Sequence, residues 1–136
     1  DMLPIAREVE RAYDEGFRHF ICGMALGCDT YFCEAALALR DQRPGVTVEA
    51  AIPCPDQAAR WSAAQRMRWE ELVGQCDFET VVQHQYTRGC MQRRDRYMVD
   101  RSARLIAAFD GTPGGTQYTV LQALRQGLEI VTIEPY

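Results

Sequence analysis

The sequence has 136 residues, of which 47% are apolar and 25% charged, and its formal net charge is −4. That is enough chain for one hydrophobic core without disulfides or metal, so a single domain over 1–136 is expected. The acidic balance disfavours nonspecific nucleic-acid or anionic-membrane binding, and no apolar stretch approaches the roughly 20 residues that span a bilayer.

From the N-terminus, LPIAREVERAYDE (3–15) places Ile5, Val9, Ala12 and Tyr13 at helical spacing, and Gly16 stands where a helix C-cap belongs. The short apolar run 18–22 predicts a strand. A helix follows, with Asp29 or Thr30 as N-cap and Phe32, Ala35, Ala36 and Leu39 on one face. Residues 46–52 predict the next strand, stopped by Pro53, and a long helix is expected over 57–73. The spacing then predicts a strand at 78–82, a helix at 92–102, a strand at 105–109, a helix at 118–125 closed by Gly127, and a strand at 129–133. Strands alternating with helices throughout predict an α/β, Rossmann-like three-layer domain with a mainly parallel sheet. Such domains ordinarily open on a strand, whereas this chain opens on a helix. The first strand is therefore expected upstream of residue 1, with a gap or an added strand in the middle of the sheet.

Six cysteines (Cys22, Cys28, Cys33, Cys54, Cys76, Cys90) form no C-x-x-C pair, and only His19 and His84 could complete a metal site. Reduced thiols in a cytoplasmic protein are the expectation, with no metal and no cofactor; Cys28 and Cys90, in predicted loops, are the two candidates for reactivity.

Three segments could carry chemistry. In GMALGCDT (23–30), Gly23 and Gly27 would let backbone approach a ligand, and the following helix offers free N–H groups to an anion. Asp29 there is either a ligand contact or a helix cap. In DGTPGGT (110–116), Gly114, Gly115 and the Thr116 hydroxyl directly precede a helix and could form an anion nest, although the segment matches neither G-x-G-x-x-G nor the P-loop pattern. In 91–105, Arg93, Arg94, Arg96, Arg101 and Arg104 cluster near that turn. Most of them read as a solvated face, with one guanidinium aimed at the glycine turn as the sharper reading.

The order GMALGCDTYFCEAAL, PCPDQAARW, RRDRYMVDRSARLIAAFDG and PGGTQYTVLQAL resembles the YpsA-like branch of the SLOG superfamily, the Rossmann-like group named for the Smf/DprA proteins and the LOG enzymes. The resemblance implies a ligand site at the carboxyl ends of the strands. It would comprise Gly23, Ala25, Gly27 and Asp29 from the first turn, Arg94, and Gly114, Gly115 and Thr116 from the last. Gln57 and Trp61 match a Gln and a Trp common in that branch, and equally read as a helix cap and a core aromatic. Two departures stand out. Asp95 sits where Asn or Lys is usual beside the arginine, and Thr119 occupies the place of the glutamate with which LOG enzymes split base from ribose.

The expected function is therefore binding or sensing of a nucleotide or nucleotide-derived ligand, with catalysis left open. One alternative is a LOG-like phosphoribohydrolase using Asp29, Glu34 or Asp100 as its carboxylate. The other is DprA-like single-stranded DNA binding, which the net charge and the absence of lysine disfavour. The expected partner is a nucleotide-like small molecule and not a membrane. The sequence leaves a homo-oligomer open.

Overall fold

The structure is a computed structural model and describes residues 3–134. Among these residues five helices alternate with five strands. In chain order they are α1 (Leu3–Asp14), β1 (His19–Cys22), α2 (Cys28–Gln42), β2 (Thr47–Ile52), α3 (Ala63–Gln75), β3 (Phe78–Val81), α4 (Cys90–Asp100), β4 (Arg104–Ala108), α5 (Gly115–Arg125) and β5 (Glu129–Ile133). Every strand pair is parallel, and the whole is the expected three-layer Rossmann-like arrangement.

Local chemistry explains most boundaries. α1 ends where Gly16 adopts φ 106° and the Phe17 N–H reaches back to the Ala12 carbonyl at 2.9 Å, a glycine-terminated helix end. α2 begins two or three residues earlier than expected: Gly27 is its N-cap, and Asp29 lies inside the first turn instead of capping it. The helix expected from residue 57 begins only at Ala63. Residues 55–60 form turns, and Ser62 and Gln65 close a reciprocal capping box that fixes the start. The last helix starts at Gly115, three residues earlier than its apolar pattern suggested.

The core joins Val9 and Ala12 of α1, Cys33 and Ala36 of α2 and Leu72 of α3 to Val48, Ala50 and Ile52 of β2, all 3% exposed or less. On the other face, α4 packs on α5 and docks on β2. Glu49 of β2 is the anchor there: its carboxylate accepts hydrogen bonds from Tyr97 of α4, from Thr80 at 2.8 Å and from His19 at 2.8 Å. Burial works against the charge, but these donors more than offset it and hold the carboxyl below its usual range.

The expected interruption of the sheet is present. β1, β2 and β3 form one parallel sheet in the order β1-β2-β3, and β4 and β5 form another. Among the described residues no ladder joins β1 to β4, and a cleft of about 870 Å³ runs between them, lined by residues 16–23 on one side and 101–108 on the other.

Candidate functional site

The cleft opens at the carboxyl ends of the strands, where three turns precede helices. Gly23, Ala25, Asp29, Arg94, Gly115 and Thr116 all line it. Two of these turns are built in opposite ways.

The turn after β1 is tied together internally. Arg94, buried on α4, donates from its NH1 to the Gly23 carbonyl and from its Nε to the Asp95 carboxylate at 2.6 Å. Asp95, the departure from the family pattern, is thus the counter-ion of the arginine it follows. Gln57, also buried, donates to the same Gly23 carbonyl at 3.3 Å and accepts from the Trp69 indole at 3.2 Å. Asp29 turns back on the loop and accepts from the Ala25 N–H at 3.1 Å. Gly23 is needed for this closeness: a Cβ there would lie 2.9 Å from the Asp29 Oδ2 and 3.3 Å from both the Arg94 NH1 and the Met98 Sδ. Its lack of a side chain makes room for these protein groups.

Met24, between these groups, is fully buried with φ 62°. A non-glycine residue in this region stores about 1–3 kcal/mol of strain and persists only where its surroundings over-determine it. Asp29 is half-buried as a residue while its carboxylate is enclosed by Ala25 and Arg94. Burial raises its carboxyl above the usual range, and the Arg94 guanidinium and the Ala25 N–H pull it partway back.

The turn after β4 has few partners. Asp110 folds onto Thr112, whose N–H and hydroxyl donate to Oδ1 at 3.0 and 2.7 Å, and residues 110–116 are all exposed. Gly114 is the N-cap of α5 with φ 149°, and no side chain caps the helix. Gly115 and Thr116, in the first turn of α5, border the cleft, and a helix start carries unpaired amides and a partial positive charge. The Thr119 hydroxyl donates to the Gly115 carbonyl at 3.1 Å, inside the helix, so it offers neither charge nor a free base to the cleft.

The remaining expected residues are elsewhere. Gln57 lies behind Gly23 and supports the turn without lining the cleft; it does not cap a helix, because α3 starts after it. Trp61 and Gly27 line a separate hollow of about 150 Å³ with Leu26, Tyr31 and Trp69, and Leu26 also borders the main cleft. Of the other arginines, Arg93, Arg96 and Arg101 form an exposed face, with Arg96 donating to the Tyr118 hydroxyl at 3.1 Å, whereas the Arg104 side chain is buried and pairs with Glu15 and Glu129. Cys90 is buried in the first turn of α4, not placed in an open loop, and all six cysteines are free thiols. Among the described residues no group of side chains could hold a metal ion, and no helix is long and apolar enough to cross a membrane. Met24 and the Glu49–Tyr97 anchor escaped the sequence reading, since neither belongs to a local pattern.

The comparisons with known proteins agree with this architecture. The chain is 29% identical to the SPbeta prophage-derived protein YoqJ of Bacillus subtilis over 110 residues, 72% of this chain and 64% of that protein. It is 24% identical over 105 residues to the UPF0398 protein YpsA of the same organism, covering 76% of this chain and 58% of YpsA. It is also 26% identical over 136 residues to the UPF0398 protein OB1025 of Oceanobacillus iheyensis, covering 96% of this chain and 73% of that protein. The chain thus spans about three fifths of the length of the first two relatives. The family model described as the YspA SLOG family matches residues 3–134, and the chain belongs to that family.

Proposed function

We propose that this domain binds a nucleoside monophosphate, or a related nucleotide-derived anion, at the carboxyl ends of its strands and does not turn it over. The observation that carries this reading is the start of α5 after its Gly114 N-cap, which no side chain caps and whose Gly115 and Thr116 border the cleft that Arg94 and Asp29 also line. An anion there would meet free amides and the helix's positive end, a ready-made phosphate site. Gly114, Gly115 and Thr116 are assigned the phosphate, and Ala25 and Asp29 a polar or ribose contact. The Arg94 NH2, whose neighbour among the described residues is the Met91 sulfur at 3.9 Å, is free to add a charge-assisted bond. Gly23, Gly27 and Gln57 hold the first turn in shape, and Trp61 sits beside it.

The absence of turnover follows from Thr119. Splitting base from ribose calls for a carboxylate to stabilise positive charge and activate water, and a hydroxyl bonded to its own helix serves neither need. A second reading has one observation in its favour: Asp29 is a carboxyl in the cleft, raised by burial, which is the signature of an acid–base group. In that case the domain is a nucleotide hydrolase with Asp29 as the acting carboxylate.

Calorimetric titration with adenosine monophosphate, with free adenine assayed in the same samples, separates the readings. Saturable binding with no adenine above background supports the binding module. Steady release that Asp29→Asn abolishes replaces it with the hydrolase. Binding of a labelled single-stranded oligonucleotide in place of the mononucleotide, weakening steeply with salt, overturns both.

A further inference from the structure

The proposed binding site uses none of the six cysteines, and three of them gather behind the first turn. Cys22 ends β1 immediately before Gly23, and Cys33, one turn after Asp29 on α2, neighbours it. Cys76, the C-cap of α3, comes next in the row. Its sulfur lies 3.9 Å from that of Cys33, although the two residues are 43 apart in sequence.

Backbone contacts hold these two sulfurs together. The residue after Cys76 is pinned to both neighbouring elements: the Asp77 carboxylate accepts from Arg40 of α2 at 2.9 Å and from the Val48 N–H of β2 at 2.8 Å. The Asp77 N–H in turn donates to the Val48 carbonyl at 2.8 Å. Cys33 is fixed inside a 15-residue helix, whereas Cys76 has left its helix in an extended conformation, φ −67° and ψ 151°. A disulfide brings its sulfurs to about 2.0 Å, so one rigid and one adjustable residue have to close by about 1.9 Å.

Access is graded along the row. Cys22 and Cys33 are 1% and 0% exposed, whereas Cys76 is half-buried and reachable from solvent. The other cysteines each lack one part of this arrangement. Cys54 and Cys90 neighbour one another, but both are 1% exposed. Cys28 is half-buried, with no thiol partner among the described residues. An accessible thiol backed by a sealed one is the arrangement in which the first is oxidised and the second resolves it.

We propose that Cys33 and Cys76 form an intramolecular disulfide site, oxidised by a peroxide at Cys76 and closed by Cys33. The Cys76 sulfur, having given up its proton, attacks one peroxide oxygen. The O–O bond breaks, the other oxygen leaves as hydroxide and takes that proton to become water, and Cys76 is left as a sulfenic acid. The Cys33 sulfur then attacks the Cys76 sulfur, and the S–O bond breaks as the hydroxyl departs as water with the Cys33 proton. Two thiols lose two electrons and two protons, and one hydrogen peroxide becomes two waters.

The first step is slow and the second fast. The adjacent Cys33 sulfur and burial push the Cys76 thiol up; Cys33 is pushed up by Cys22 and by burial, with Cys76 acting the other way. The reactive thiolate is therefore scarce at neutral pH, and the bond forms under sustained oxidant. Once Cys76 is oxidised, its partner is already beside it. The bond ties α2, whose first turn carries Asp29, to the end of α3, whatever the cleft binds.

The test exposes the full chain to excess hydrogen peroxide at about pH 8 for hours, alkylates the remaining thiols after unfolding, and maps the peptides by mass spectrometry. Cys33→Ser and Cys76→Ser are treated in parallel. The expected result is one peptide pair joined through Cys33 and Cys76 within a single chain, with Cys54 and Cys90 still alkylated. In Cys33→Ser, Cys76 runs on to sulfinic and sulfonic acid; in Cys76→Ser, Cys33 stays a thiol. Cys33 and Cys76 both still alkylated after Cys28 has been oxidised would overturn the proposal. So would a bond between Cys22 and Cys33, a bond between two chains, or Cys76 running on to sulfonic acid in the unaltered chain. The unaltered chain and Cys76→Ser, changed at a half-buried position, decide the matter even where Cys33→Ser fails to fold.

Discussion

The turns after β1 and β4 are built from similar material, glycines, a carboxylate and threonine at the start of a helix, and end in opposite states. After β1 most polar groups are engaged within the protein: Asp29 serves Ala25, and Arg94 and Gln57 share the Gly23 carbonyl. After β4 the turn is exposed and the helix start uncapped. A glycine-rich turn is therefore not by itself a ligand loop. The first is a pre-formed wall whose strain at Met24 is held by packing, and the second leaves the start of its helix without a side-chain cap.

If that contrast is right, mutations should damage stability at the first turn and leave it untouched at the second. The largest effect is expected from Arg94→Ala. It strips the Gly23 carbonyl of a charged donor and leaves Asp95 without its partner, costing about 1.5–3 kcal/mol in chemical denaturation. Arg101→Ala should cost less than about 0.5 kcal/mol, because Arg101 is exposed and its guanidinium rests on the Tyr97 ring. Equal losses from the two would break the distinction.

Gly23→Ala comes next, at about 1–3 kcal/mol, since the new Cβ meets Asp29 and Arg94. Gly115→Ala meets nothing within 4 Å and should shift stability by no more than about 0.5 kcal/mol. A melt comparison of the pair is enough, and a Gly115 variant as damaged as the Gly23 one would refute the idea of an open second turn.

Acid unfolding sharpens the same picture. Glu49 has a carboxyl held low in the native state, so the stability it contributes is complete above its unfolded value of about 4.3 and is lost as pH falls through the lower folded value. Asp29 works with the opposite sign. Its carboxyl is raised, so ionising it costs the native state, and that cost grows as pH rises from about 3.9 through the folded value. Tyr97→Phe should flatten the acid limb of the stability curve, whereas Asp29→Asn should leave that limb in place and hold or raise the melting temperature at pH 7. The smallest effect belongs to Thr119→Ala. It removes a hydroxyl bonded only to the Gly115 carbonyl and should change stability by less than about 0.5 kcal/mol and adenine release not at all.

All ten elements were legible in order because each has a local cause: helical spacing in α1, short apolar runs in the strands, glycines at helix ends. The start of α3 was misread because Trp61 extends the apolar pattern backward, although Ser62 and Gln65 spell the capping box that sets it. The candidate site was legible as a set of turns but not as a division of labour. Whether Arg94 is spent on the Gly23 carbonyl depends on packing between residues 71 apart in sequence, and Glu49 gathers partners from β1, β3 and α4. No local pattern encodes either.

The central claim is that the second turn holds an anion and performs no chemistry on it. It is tested most directly by following the amide resonances of Gly114, Gly115 and Thr116 as adenosine monophosphate is added, with free adenine measured in the same tube. The account predicts saturating shifts at these amides, an unchanged Thr119 environment and no adenine over hours. Amides that stay still while the nucleotide binds elsewhere, or adenine accumulating at an enzymatic rate of about 1 per second, would contradict it.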